Sequence, residues 1–595
     1  MKNLKLGLLS LVFLILLTSC KQSPINNPKK EAYEIEREKL INRLSFQKEL
    51  KDKVKFGIVV PPENLNPFYA KDESSKIITG ILYQQLFTIR ESHNSEEYNY
   101  LLADSLSISE DGKNYVLKLK DNIFWHDGSR ITVDDVIFSI DYTYNNNDTT
   151  YLDSFYVDGE EIDFKKISDD TVELNLSKPS YTLKYALEKL KVVPQKTFEK
   201  SPKKFTFKDK NFLIGSGPYV YKDKIKDEYF KVDEYNFEAF KEYFDGKSNI
   251  EKLSIRVVAH YSSPRYDMLD YNIQGGYILG SDSSAFVNDF YNIETIESGQ
   301  VASLLFKMNN KTVSSPKMRK AISNLINVNS IASNFGDNTN VSRANSVFGH
   351  DNMYKSENNL INDMSIENAV EYIKSVQRKD DNFSIRLGFV LDPGEIQEKF
   401  AVYLQENLIA KGINLELVPL YEEEYVEELK DPNSDLFDIC LFIYDSDKDP
   451  DYFKNFFKTD GIFNYSGYKN KDLDFLWEKA RESSNLETRV KLYGEIQDTI
   501  LRDKPIYPLL YLNRVLATDD RLTNVEEAMP SSYSFFTNLN RLKINEFKAS
   551  DKALKKYDIK ESDLKDEPRY DNVNIYNENA QPKKITKPEG AKELK

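Results

Sequence analysis

The chain has 595 residues, 40% of them hydrophobic, which exceeds one compact domain and predicts about three to four domain-sized pieces. Lys and Arg number 81 against 96 acids, a net charge of −15, and no concentrated basic face stands out, so nucleic acid is not expected as a partner. Two cysteines and four scattered histidines exclude a disulfide framework, a zinc-finger array and an HExxH metalloprotease.

In chain order, Lys2 and Lys5 precede a nearly all-apolar run from Leu6 to Leu17, and Leu17-Thr18-Ser19-Cys20 brings small residues up to a cysteine. A helix of that length spans about 18 Å, short of a bilayer core of about 30 Å, so the segment predicts a cleaved export signal and not a membrane span. Its ending is similar to the bacterial lipobox, which implies a signal peptide over 1–19 and diacylglyceryl transfer to Cys20. The protein is therefore expected on the bacterial cell membrane, lipid-anchored and facing the extracytoplasmic side. The other cysteine, Cys440, sits in Ile439-Cys440-Leu441-Phe442 and reads as a buried small hydrophobe.

Residues 20–50 are polar and read as a tether and spacer, with a short helix from Glu31 to Lys51. Folded structure is expected from the strand Val54–Val60. Tyr115–Leu119 alternates like a half-buried strand. Thr132–Tyr144 reads as a helix, with Thr132 and Asp135 as a capping box and Val133, Val136, Ile137, Ile140 and Tyr144 on one stripe. Lys317–Ser330 carries the same period. Asp127-Gly128 predicts a tight turn, and His126 within it reads as structural. Gly215 and Gly217 are expected to supply unusual φ values, and Gly412 to cap a helix. The charged stretch 547–595 has little to bury and is expected to be a disordered tail.

Enzyme motifs are missing. Gly215-Ser216-Gly217 has the wrong spacing for a nucleophile elbow, and Gly246-Lys247-Ser248 lacks the upstream glycine of a phosphate loop. Asp445, Asp447, Asp449 and Asp451 alternate as in a calcium loop, but Pro450 and Phe456 stand where an EF-hand needs Gly and Glu. No enzyme activity, cofactor or metal is expected.

Several segments carry a resemblance. The run from Tyr115 through Trp125-His126-Asp127-Gly128 to Thr132, Asp135 and Val136 resembles a signature of family 5 extracellular solute-binding proteins, the peptide- and nickel-type receptors of ABC importers. Gly215-Ser216-Gly217-Pro218-Tyr219, the stretch from Tyr403 through Gly412-Ile413 to Leu417, Asn464–Tyr468, and Leu473–Leu510 are similar to further family segments in the same order. The likeness runs over about 52–546.

The resemblance implies an α/β clamshell of two lobes with an extra subdomain in the N-terminal lobe. Lobe I would comprise 51–90, the subdomain 91–214, then 215–300 and a closing part 509–546, with lobe II at 301–508. Ligand would be held between the lobes, an oligopeptide pairing its backbone with the strand edge Phe442–Ser446. In the peptide receptors an Asp four residues before the proline of the Asp449-Pro450 segment takes the amino terminus; here that position is Ser446, flanked by Asp445 and Asp447. Asp445 and Asp447 are therefore the expected ammonium ligands, with Ser446 and Tyr444 adding backbone or hydroxyl contacts. By family position Tyr69 and Glu73 would line the facing lobe, and Tyr151 would reach in from the subdomain. The expected partners are an oligopeptide or other small solute and the transmembrane subunits of an ABC permease, with the receptor a monomer. The alternatives are a receptor for a nickel chelate, haem or oligosaccharide, and a peptide-pheromone signalling receptor.

Overall fold

The computed structural model describes residues 28–49, 551–565 and 52–546, the last without 93–94, 147–148, 152–153, 227–231, 259–263, 270, 287–289, 336–340, 351, 357–363, 381, 392–395, 529–535 and 537. The chain divides into two compact units, 52–545 and the two ends together. The expected signal peptide, Cys20 and the far end of the tail lie outside the described residues.

In the terminal unit, Pro28–Glu49 forms the helix expected for the spacer. Part of the stretch expected to be disordered is ordered: Asp551–Lys556 is helical and Glu561–Asp563 forms a 3₁₀ turn. The helix supplies the partners that composition does not show. Arg37 pairs with Asp563 at 2.8 Å, Ser45 Oγ accepts the Lys565 N–H at 2.7 Å, and Tyr33 packs on Tyr557.

The unit 52–545 is built on an eleven-stranded mixed sheet. Its order runs Leu415–Leu420, Ile385–Val390, Ile439–Asp445, Tyr291–Phe306, Ile506–Asp519, Gly275–Ile278, Lys53–Ile58, Lys252–Val257, Asp233–Ala239 and Tyr219–Lys226, with Val341–Arg343 added against Ile506–Asp519. Two long antiparallel strands at its centre, Tyr291–Phe306 and Ile506–Asp519, serve both halves. Their register breaks between Ile296 and Gln300. On one side of the break, Val515–Thr518 pair with Gly275–Ile278 of the N-terminal half. On the other, Gln300–Phe306 pair with Ile439–Asp445 of the C-terminal half. A separate four-stranded antiparallel sheet (103–108, 114–119, 171–175, 163–166) forms the subdomain.

Local chemistry explains the elements. In Asn114–Leu119, Tyr115, Leu117 and Leu119 alternate inward and are buried. Val133–Tyr144 starts at Thr132, whose N–H donates to the Asp135 carboxylate at 3.0 Å, one arm of the capping box. The single helix expected over 317–330 is instead two, Pro316–Asn324 and Val328–Phe335. Asn327 breaks it: its side-chain oxygen accepts the Ser330 N–H at 3.2 Å, capping the second helix. Gly128 and Gly412 have the positive φ their turns require, +85° and +72°. Gly215 and Gly217 do not. They are glycine because the backbone packs directly on another chain segment: a Cβ would stand 1.9 Å from Leu82 O at Gly215 and 2.1 Å from Ile81 O at Gly217.

One hydrophobic core runs through the N-terminal half and subdomain and on to Phe442, Tyr444, Phe453 and Trp477 of the C-terminal half. A second, around Leu304, Ile322, Ile385, Leu404 and Leu441, belongs to the C-terminal half alone.

Candidate ligand-binding cleft

The strand Ile439–Asp445 leads from the C-terminal core to the boundary between the halves. One edge pairs with Gln300–Phe306 throughout. The other pairs with Ile385–Val390 only at Ile439 and Cys440, so from Leu441 onward it has no ladder partner among the described residues. Cys440 is fully buried and its thiol is pushed up to about 11 by burial, a packing residue as expected.

At the end of the strand, Tyr444, Asp445, Ser446 and Asp447 turn to different partners. Asp445 is exposed, accepting from Gln300 Nε2 at 3.0 Å and facing Lys76 Nζ at 3.6 Å. Ser446 is buried and turned into the scaffold: its N–H donates to Gly299 O and its Oγ accepts the Gly349 N–H at 2.7 Å. Tyr444 is likewise buried, its hydroxyl donating to Val347 O at 2.6 Å. Neither Ser446 nor Tyr444 offers its side chain to the cleft. Asp447 does, but it is met by Lys189 of the subdomain, whose ammonium donates to Asp447 Oδ2.

The Lys189–Asp447 pair is half of a reciprocal clasp. Next to it Lys448 donates to Glu188 Oε1 and to Ile89 O, each at 2.8 Å. Glu188-Lys189 at the end of the helix Leu183–Lys189 thus faces Asp447-Lys448 with charges opposed. Tyr151 supports the clasp from behind. It is buried, donates to Lys189 O at 3.0 Å and accepts the Lys191 N–H at 3.1 Å, fixing the backbone that carries Lys189. Tyr69 is buried too, with Lys203 over its ring. Glu73 opens the helix Glu73–Leu82 and pairs with Arg514 of the second crossing strand at 2.7 Å. The structure therefore brings Asp447 and Tyr151 together around Lys189 and leaves Asp445, Tyr69 and Glu73 at separate positions.

Beside the clasp lies a cavity of about 470 Å³, counting the open space at its mouth. Ser154, Thr182 and Lys189 line it from the subdomain, Asp449, Asp451 and Arg481 from the C-terminal half. Burial and the neighbouring Asp451 push the Asp449 carboxyl up to about 8, against the pull of Lys189. Asp451, also raised by burial, accepts from the Tyr493 hydroxyl at 2.7 Å. Burial alone would lower the Lys189 ammonium, yet Asp447 and Asp449 outweigh it and raise it above its ordinary value. Arg481 is buried, bonded through Nη2 to Glu478 at 2.6 Å, while its Nε has no hydrogen-bond partner among the described residues. Lys189, Glu188, Lys448, Asp449 and Arg481 were not among the expected site residues. Asp449 belongs to the acidic run already noted, but nothing in the local sequence marks the other four, because each gains its role from a partner 99 residues or more away or from the cavity wall.

Comparison with known proteins settles the class. Residues 97–464 match the family of bacterial extracellular solute-binding proteins, family 5 Middle. The chain belongs to this family. The oligopeptide-binding protein AppA of Bacillus subtilis is 25% identical over 494 residues, 78% of this chain and 87% of its own length. The structure of the ABC transporter substrate-binding protein CtaP from Listeria monocytogenes superposes with a TM-score of 0.74 at 28% identity, covering 83% of this chain and all of that one. NikZ from Campylobacter jejuni, solved with Ni(L-His), shares the fold at 23% identity and a TM-score of 0.65 over the same 83% of this chain and all of its own. As a family 5 protein this chain is a solute-binding protein of ABC transport and not an enzyme. No helix among its described residues is long and apolar enough to cross a membrane.

Proposed function

We propose that this protein captures oligopeptides outside the cytoplasm and delivers them to an ABC permease, acting as a monomer held on the membrane by lipid on Cys20. The observation that carries the peptide reading is the strand edge from Phe442 to Asp445, which has no ladder partner among the described residues and runs out at the boundary between the halves. A peptide can add to such an edge through its backbone, whatever its side chains. Support comes from relatives named for oligopeptides and dipeptides. The N-terminal sequence supports the anchor.

The clamshell works through the two central strands. Their register break at Ile296–Gln300 marks the hinge, with 51–300 and 509–546 moving as one lobe and 301–508 as the other. In the arrangement described here the lobes meet through charged pairs and through a shared hydrophobic core, and the space left at the cavity, about 30 Å³, has room for water but not for a solute. An extended peptide therefore enters an opened form and is gripped as the halves close; that closure needs ligand to favour the closed form.

Native mass spectrometry of the protein purified from its own cells tests the reading. A ladder of peptide masses is expected. A single non-peptide mass would move the protein to the other reading, a receptor for a different solute such as a metal chelate, which the engagement of Asp447 by Lys189 favours.

A further inference from the structure

We infer that Lys189 is a specificity residue: its ammonium fills the acidic pocket of the cleft in place of a ligand's, so that the solute end seated there is uncharged, as in a peptide with a blocked amino terminus. The inference rests on the peptide reading for its ligand class but not for its chemistry.

The pocket is already complete around Lys189. Its ammonium donates to Asp447 and stands 5.9 Å from the ring centre of Tyr452. Both belong to the C-terminal half, whereas Lys189 comes from the subdomain. Tyr151 holds the lysine's backbone on both sides, at Lys189 O and Lys191 N, so its placement is built and not incidental. A ligand ammonium arriving at Asp447 would have to displace one of equal charge and leave it without its counter-charge in a site about a third exposed. It would gain nothing that Lys189 does not already supply.

What remains unmet in the cavity is polar and suits an uncharged group. Arg481 Nε is a buried donor without an acceptor among the described residues. Asp449, whose Oδ1 accepts the Asp451 N–H at 2.9 Å, is held largely protonated at neutral pH. With Asp447 matched to Lys189, the acid at Asp449 is an uncharged hydroxyl donor and acceptor. An amide or acyl carbonyl can accept from Arg481 Nε and from the Asp449 carboxyl; an ammonium can accept from neither.

Two measurements test this. In the first, Lys189→Ala and Lys189→Met are compared with wild type in thermal melts with n-propylammonium chloride, against sodium chloride at equal ionic strength. Propylammonium replaces the atoms removed in the alanine variant. It is expected to raise the Tm of Lys189→Ala and to leave wild type and the methionine variant, whose side chain fills the space, unchanged. Absence of this selective rescue overturns the inference. In the second, a pepsin digest of casein is offered before and after acetylation, and lysine-free peptides retained are counted by native mass spectrometry. Wild type is expected to hold both forms within about threefold of each other, and Lys189→Ala to favour free amines by about tenfold, or 1.4 kcal/mol. A tenfold preference of wild type for free amines overturns the inference and keeps the peptide reading. Retention of neither form removes the peptide reading, and the propylammonium result then decides the inference alone.

Discussion

Two polar centres of this protein use hydrogen bonding in opposite ways. At the turn Trp125–Gly128, His126 lies wholly within the N-terminal half: its Nδ1 accepts the Gly215 N–H at 3.1 Å and its Nε2 donates to Gly217 O at 2.9 Å. Those two bonds fix the neutral tautomer and weld the turn to the Gly215–Gly217 segment. At the acidic loop, Asp447 and Lys448 find their partners on the subdomain. The same kinds of group give rigidity where both partners ride on one half, and a separable contact where they ride on two. Position in the fold, more than residue type, divides scaffold from site.

The largest effect is expected at the glycines. Gly215→Ala puts a methyl 1.9 Å from Leu82 O, which already accepts the Ser216 and Gly217 N–H groups at 2.9 and 2.8 Å. Relief requires moving the carbonyl and losing those bonds, a cost of about 3 kcal/mol or more. Denaturant unfolding is expected to show that loss with or without ligand. A change confined to ligand affinity would mean the turn belongs to the moving parts.

Asp447→Asn is expected to have a smaller effect of a different kind. It leaves Lys189 without its counter-charge but at a site still about a third exposed, so about 1–2 kcal/mol is lost, screening included. The loss falls on the closed arrangement, not on folding. Small-angle scattering of the free protein is expected to show a larger radius of gyration for Asp447→Asn, and again for Lys448→Gln, with the double variant less than additive. Equal radii in all forms would make the clasp a passive contact.

Much of the scaffold was legible in the sequence, and the clasp was not. The capping box at Thr132, the inward alternation at Tyr115, Leu117 and Leu119, the Gly412 cap and the structural His126 rest on neighbours within a few residues or on a turn, so their pattern is local. The roles of Gly215 and Gly217 were misread because close approach to Leu82 and Ile81 is a tertiary fact; sequence shows only that a glycine is there. The acidic run was visible, but not how it divides: Asp445 outward, Ser446 inward, Asp447 to Lys189, Asp449 to the cavity. That division follows from the alternation of an extended segment at the end of a strand, combined with a helix terminus 258 residues away.

The pH response sharpens the comparison next, since the two centres carry opposite signs. Burial lowers His126 to about 4, so its imidazole stays neutral in the folded state. The stability it contributes is present above its ordinary value near 6.5 and is lost as pH falls through 4. Asp449 is raised to about 8, with Asp451, Asp447 and Lys189 as the charged groups around it. Its contribution is present below the ordinary carboxylate value near 4 and is lost as pH rises through 8. Melts of Asp449→Asn are expected to flatten the loss of Tm as pH rises from about 6.5 to 8, where His126 no longer titrates, and those of His126→Gln the loss as pH falls from 6 to 4. A variant that altered the other limb would reverse the assignments.

The smallest effect is expected at Glu73 and Arg514, where a helix start meets the second central strand beside the register break. The pair is close, 2.7 Å, but Glu73 is 46% exposed, so water competes for both charges and salt screens them. Breaking it by Glu73→Gln removes less than about 1 kcal/mol of stability, and the remaining amide can still accept from the guanidinium. Its interest lies in where it sits. Arg514 pairs with Ile296, the last residue before the register break, so a tether from Glu73 to Arg514 holds the strand on the N-terminal side of that break to the helix Glu73–Leu82. If that tether belongs to the rigid half, Glu73→Gln will leave both the scattering radius and peptide retention as in wild type while lowering Tm by a degree or two. A shift in radius as large as that of Asp447→Asn would instead place Glu73 among the contacts that open and close.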